Sequence, residues 1–228
     1  MRALRRAVFV VALVWAAISA VVALLIATWM RERYGRSGPF PARDALALLN
    51  PQRHRLHPVG ETVRFFHIKP GDTVLELGPG PGYFTVEAAR VAGPDGRVVC
   101  VDVQPGMIAV LGERLRRERT QNVRPLVGDA MRLPLADRCV DAAFLVFVLG
   151  EIPDRPAAIA ELRRALKPGG VLSIMETLTD SDYQLEPAVE DLCRAYGFAP
   201  LERRRQRLGY ARSFTAPAAS ECCSSPDR

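Results

Sequence analysis

Cysteine is scarce, at five in 228 residues, and no C-x-x-C pair occurs. Cys100 and Cys139 lie in or beside apolar runs, where a thiol behaves as a small hydrophobe. A disulfide framework and a zinc site are both set aside, no metal site is expected, and a reducing compartment is implied. No internal repeat is visible. No phosphate-cradling Lys-Ser/Thr loop is present, and the strict G-x-G-x-x-G of dinucleotide-binding folds is missing. Hydrophobic residues at 49% and charged residues at 25% exclude wholesale disorder and a collagen-like chain. The length suits one domain plus a short extra segment.

Acidic charge is nearly absent from the first 60 residues. Nine arginines stand there against Glu32 and Asp44, a net of +7, whereas residues 61–228 hold 22 basic and 23 acidic residues. The overall +6 therefore belongs to the N-terminal part, and a nucleic-acid-coating domain is disfavoured. Ala7 to Met30 is a run of 24 residues without one charge. At about 1.5 Å per residue it reaches roughly 36 Å, enough for a hydrocarbon core of about 30 Å. It is longer than a signal-peptide core and ends in Trp29-Met30-Arg31 rather than in small residues, so an uncleaved anchor is expected. Arg2, Arg5 and Arg6 precede the run; Arg31, Arg33, Arg36 and Arg43 follow it. That margin predicts a single-pass membrane protein with its C-terminal part in the cytoplasm. Residues 31–55 read as a basic linker and cap, and residues 217–228 as a disordered tail ending past Cys222-Cys223.

From Asp72 onward strands alternate with helical stretches. The predicted strands are Thr73–Leu77, Arg97–Val101, Val123–Val127, Ala142–Val148 and Val171–Glu176, with helices at Tyr83–Val91, Gly106–Arg117, Ala157–Leu166 and Glu186–Tyr196. Short continuous apolar runs suit parallel strands buried on both faces. Pro200–Arg205 and Tyr210–Ala216 read as a closing hairpin. The fold class is therefore α/β, a Rossmann-like doubly wound and mostly parallel sheet over residues 56–216, with a C-terminal antiparallel hairpin and one preceding transmembrane helix.

Val74–Thr85 reads V-L-E-L-G-P-G-P-G-Y-F-T, a buried strand running into three glycines and then a helix. Glycines there permit a tight turn and a close ligand approach at the carboxyl edge of the sheet. The second strand, R-V-V-C-V-D, ends in Asp102, placed to accept both hydroxyls of a ribose. V-G-D-A-M-R-L-P-L (Val127–Leu135), D-A-A-F-L-V-F-V-L-G-E-I-P-D (Asp141–Asp154) and E-L-R-R-A-L-K-P-G-G (Glu161–Gly170) follow in order. Together these segments resemble the class I S-adenosylmethionine-dependent methyltransferases, over roughly Leu56 to Ala216.

That resemblance implies S-adenosyl-L-methionine as cofactor. Gly78, Gly80 and Gly82 would wrap its methionine part, and Glu76 would help to hold its amino group, directly or through water. Asp102 would bind the ribose. Asp129 would take the adenine amine, with the Ala130 backbone at the ring edge and Met107 against the adenine or simply in the core. Tyr83 would touch cofactor or substrate. Many relatives carry His-His where this chain has Gly150-Glu151. Glu151 is therefore the candidate to position or deprotonate the acceptor or to bind a cation, the alternative being a solvated loop acid. His57, with His54, is a candidate member of an active-site cap, and Glu176 a weaker third candidate.

The overall pattern resembles the bacterial quinone-biosynthesis methyltransferases, and the G-P-G-P-G turn is also similar to that of phospholipid N-methyltransferases. With the anchor it implies a small apolar or membrane-associated acceptor: a lipid, a quinone precursor or similar. A tethered enzyme for a water-soluble substrate and a non-catalytic cofactor-binding membrane partner are the alternatives. Absence of an N/D-P-P-Y/F tetrapeptide after the fourth strand argues against a nucleic-acid substrate.

Overall fold

The computed structural model describes residues 38–49 and 57–218, together with Trp15, Ser19, Val21 and Val22. The chain divides into two compact units, Met1–Ser37 and Gly38–Arg228. In the first, the four described residues are helical and exposed. The rest of the expected anchor, His54, and the tail from residue 219 lie outside the described residues. Among the described residues no helix is long and apolar enough to cross a membrane.

The second unit opens with a 3-10 helix, Ala42–Leu49, and helix α1, Val59–Phe65. Then come β1 (Thr73–Leu77), α2 (Thr85–Ala92), β2 (Arg97–Asp102), α3 (Pro105–Arg117), β3 (Val123–Val127) and β4 (Val140–Val146). A short 3-10 turn at Leu149–Glu151 leads to α4 (Arg155–Ala165), β5 (Leu166–Thr177), α5 (Glu186–Ala195), β6 (Ala199–Gln206) and β7 (Gly209–Thr215). The seven strands lie in the order β3-β2-β1-β4-β5-β7-β6. β1 to β5 pair in parallel; β7 is antiparallel to both β5 and β6.

Side-chain alternation along the strands feeds two cores, one on each face of the sheet. Val74, Val98, Cys100, Phe144 and Met175 join Phe66 and Phe84 on one face, where the rings of Phe66 and Phe144 stack at 4.2 Å. Leu75, Leu77, Leu145, Leu172 and Ile174 pack with Ile159, Leu162 and Val189 on the other. Central strands β1 and β2 are buried almost throughout, whereas the edge strand β3 is half-buried to exposed and β6 is largely exposed. Pro125 is tolerated because β3 is an edge strand. The arginines of β6 blunt the opposite edge.

The sequence boundaries shift where local geometry decides. β4 stops at Val146 because Phe147 adopts φ +61°. α2 begins at Thr85, two residues later than expected, because Gly82 at φ +83° still belongs to the turn. α4 starts earlier, at Arg155, where the Asp154 carboxylate accepts from the Ala157 N–H at 3.0 Å.

Candidate functional site

The site forms at the carboxyl edge, where β1, β2 and β4 end side by side. Gly78, Gly80 and Gly82 take φ of +66°, +56° and +83°. An L side chain is strained in that region. A Cβ on Gly78 would lie 2.4 Å from Val148 Cγ2, so the segment after β4 packs directly on the turn. The turn therefore borders two things at once, the end of β2 and the loop Phe147–Glu151.

Glu76 ends up buried beneath the turn, 3% exposed. Its Oε2 accepts from Thr85 Oγ1 at 2.5 Å and from the Cys100 thiol at 3.6 Å. Burial pushes its carboxyl up to about 8, partly countered by those donors and by the Arg114 charge. Asp102 is buried at the end of β2, with Oδ1 held by the Gln104 N–H at 2.9 Å. Burial raises its pKa as well. Met107 is buried in the first turn of α3, 2% exposed. Asp129 is exposed after β3, and its Oδ1 accepts from the Met131 N–H at 2.8 Å; Ala130 beside it is half-buried. Glycines, Asp102, Met107, Asp129 and Ala130 thus follow one another along three adjacent strand ends.

These residues fit the methionine, ribose and adenine parts of a nucleoside cofactor. The turn has no Cβ at the three points where one would be strained, and Asp102 offers its second oxygen to a diol. Residues 74–170 match the family model of a methyltransferase domain. The chain carries a class I S-adenosylmethionine-dependent methyltransferase domain. S-adenosylmethionine is the cofactor of that domain. The ubiquinone/menaquinone biosynthesis C-methyltransferase UbiE of Teredinibacter turnerae is 33% identical over 130 residues, which cover 57% of this chain and 52% of that protein. The arsenite methyltransferase of Halobacterium salinarum is 33% identical over 132 residues, 56% of this chain and 34% of that protein. The chain therefore spans about half or less of the length of these curated relatives. A crystal structure of a SAM-dependent methyltransferase from Aquifex aeolicus superposes with TM-score 0.74 at 23% identity, covering 78% of this chain and 99% of that one. It supports the Rossmann-like fold.

After β4, Glu151 closes the 3-10 turn. Burial first, and then the Asp180 charge, push its carboxyl up to about 8; the Phe40 N–H donates to it. His57 is buried, with Nδ1 3.1 Å from Gln206 Oε1 and its ring edge-on to Phe147 at 5.0 Å. Tyr83 is buried and its hydroxyl donates to the His57 carbonyl at 3.1 Å, so it ties the cap to the glycine turn.

Several neighbours carry no sequence signal. Gln104 donates to the Phe40 carbonyl at 2.7 Å and accepts from the Ala42 N–H at 3.2 Å. Leu48 reaches to 3.5 Å from where a Gly80 Cβ would stand. The segment Phe40–Leu49 is thereby a cap joined to β2 through Gln104 and to β4 through Glu151. Glu176, at the end of β5, is 1% exposed, with Oε1 unpartnered and Oε2 accepting from the Gln184 N–H at 3.4 Å. Burial pushes it up to about 8.

Proposed function

We propose that this chain methylates a small apolar acceptor of the quinone-precursor class, presented at a membrane. The observation that carries the reading is the contact of Val148 with the glycine turn. On this reading the segment Phe147–Glu151, which contains Val148, borders the turn proposed to hold the cofactor's methionine part. When bound, S-adenosylmethionine supplies a methyl group on a good sulfonium leaving group, so alignment and exclusion of water are the main demands on the protein.

The acceptor wall suits an aromatic, weakly acidic nucleophile. Phe147 presents its ring beside the His57 imidazole, and Tyr83 backs the cap. Glu151 is the base: a carboxyl held near 8 is matched to a proton that must leave at neutral pH. His57 orients the cap through Gln206. The relatives named for ubiquinone, menaquinone and demethylmenaquinone methylation support the acceptor class. Arsenic is a soft, thiophilic acceptor and would want thiolates. Cys100 and Cys193 are instead buried, with thiols pushed up, and among the described residues Cys139 is left as a single half-buried thiol rather than a thiolate set, which does not favour arsenic.

The uncharged run at 7–30 is the proposed single-pass anchor, and its flanking arginines orient the domain to the cytoplasm. The test is methyl transfer from labelled cofactor by the full chain in vesicles. Demethylated quinones should acquire label and water-soluble thiols or amines should not. Label on the soluble panel alone overturns the acceptor class. No label on either, with cofactor bound, favours a non-catalytic partner.

A further inference from the structure

Six large apolar side chains are exposed among residues 38–218: Leu46 at 72%, Val103 at 51%, Val127 at 51%, Leu178 at 62%, Leu185 at 66% and Leu201 at 49%. Scattered singly they would need no explanation. Their placement is not scattered. Val127 ends β3, and Val103 and Leu178 directly follow β2 and β5. Leu185 closes the loop that starts at Leu178 and caps α5. Leu46 rides on the 3-10 helix that covers Gly80 and Gly106. All five lie on the carboxyl edge, around the mouth of the site. Leu201 alone lies at the other end, because Pro200 pairs with Phe214 and Phe214 with Leu172, early in β5.

We propose that this rim is a membrane-docking surface, and that the acceptor enters the site from the lipid bilayer between Leu46 and the Leu178–Leu185 loop. The inference rests on the membrane-acceptor reading above and adds which face meets the lipid. The occupant is argued from the chain that leads into the rim. Seven residues separate Met30, the end of the uncharged run, from Gly38, where the cap begins, and three of the seven are arginines. Arg43 continues that series on the same 3-10 helix as Leu46, its side chain 75% exposed. Arg132 is exposed beyond the end of β3. Arg43 beside Leu46 and Arg132 beyond Val127 suit the headgroup boundary on that side, where anionic lipids attract the cations and the leucines reach the acyl chains, while the Leu178–Leu185 loop carries Asp180 and Asp182 and meets the lipid through its leucines. The rim lies on the same carboxyl edge as the Phe147–His57 pair, so an apolar acceptor would pass from bilayer to site without crossing water.

The experiment uses the full chain with Cys139, Cys222 and Cys223 changed to Ser, leaving the buried Cys100 and Cys193 in place. Spin labels go on Leu46→Cys, Leu178→Cys and Leu201→Cys, all exposed positions that tolerate the change. Vesicles are equal parts phosphatidylcholine and phosphatidylglycerol. Flotation and collision with oxygen or an aqueous nickel complex are measured together. The expected result is flotation with vesicles and a several-fold rise in the oxygen-to-nickel ratio at 46 and 178, with none at 201. Flotation with all three labels equally aqueous overturns the rim and leaves the membrane reading standing. Failure to float overturns both.

Discussion

The two halves of the sheet edge are built in different ways. The proposed cofactor half draws on Glu76 to Tyr83, Asp102, Met107 and Asp129, each at the carboxyl end of a strand or within six residues beyond it. The acceptor half gathers Phe40, His57, Phe147, Glu151, Glu176, Gln184 and Gln206 from the length of the chain. A constant ligand can be held by a short backbone motif. A variable one is enclosed by whatever the tertiary structure brings over it. The contact between Gly78 and Val148 is the seam between the halves.

Breaking that seam has the largest expected effect. Gly78→Ala forces an L residue to φ +66° and drives its Cβ against a β-branched side chain with little rotamer freedom. The positive φ costs about 1–2 kcal/mol and overpacking about 1–3 kcal/mol more. Cofactor binding by calorimetry should be lost and thermal unfolding should shift to lower temperature. Wild-type affinity in this variant would show that the turn is not pressed against β4.

Glu151→Gln acts on the acceptor half alone. It keeps an acceptor for the Phe40 N–H and removes the proposed base. Turnover should fall by about 10²–10⁴ with cofactor affinity unchanged. In the parent enzyme the base works only when deprotonated, so the rate should rise with pH and level off above about 8. A pH-independent rate would remove Glu151 from that role. The same carboxyl, with Glu76 and Glu176, has a folded pKa raised from 4.5 to about 8. These acids hold their protons better folded than unfolded. Their contribution is fully present below pH 4.5 and is lost as pH rises toward 8, so melting of the cofactor-free protein should soften over that window.

The cofactor half was the legible one. Its glycines, Asp102 and the five parallel strands can be read because buried parallel strands are short apolar runs and the turn glycines are local. The hairpin next to β5 was legible as well. Gln104, Phe147 and Gln206 were not. Gln104 matters only because Phe40 and Ala42 come to it from 64 and 62 residues away. Phe147 is an ordinary aromatic in sequence, and its φ of +61° arises from the way β4 ends. Glu76 stands out in the sequence as a proposed cofactor contact, but its burial with Thr85 and Cys100 is not legible there.

Asp102→Asn sharpens the comparison from the cofactor side. It preserves the shape of the β2 end and the bond from the Gln104 N–H but loses the charge. A hydrogen bond to a charged group is worth about 1.5–3 kcal/mol, so affinity for S-adenosylmethionine and S-adenosylhomocysteine should fall by about 10- to 100-fold. The affinity of Glu151→Gln should remain at the parent value. Equal losses in both variants would mean that the two halves are one coupled unit.

The smallest effect is a fraction of a proton. Glu76 sits in a site too dry to ionise readily, its carboxyl pushed up to about 8 with only Thr85, Cys100 and the distant Arg114 charge in support. A cofactor ammonium arriving there supplies the missing positive charge and favours the carboxylate. At pH 7 binding should therefore expel up to about one proton, because the group is protonated before binding and ionised after it. Calorimetry in buffers of different ionisation enthalpy reads this number directly. S-adenosylhomocysteine carries the same amino group and should expel the same amount, so the sulfonium is not the source. Glu76→Gln should abolish the release, while Glu151→Gln should leave it intact. Release that survives Glu76→Gln would move the ammonium contact to another carboxylate, with Asp102 the next to test.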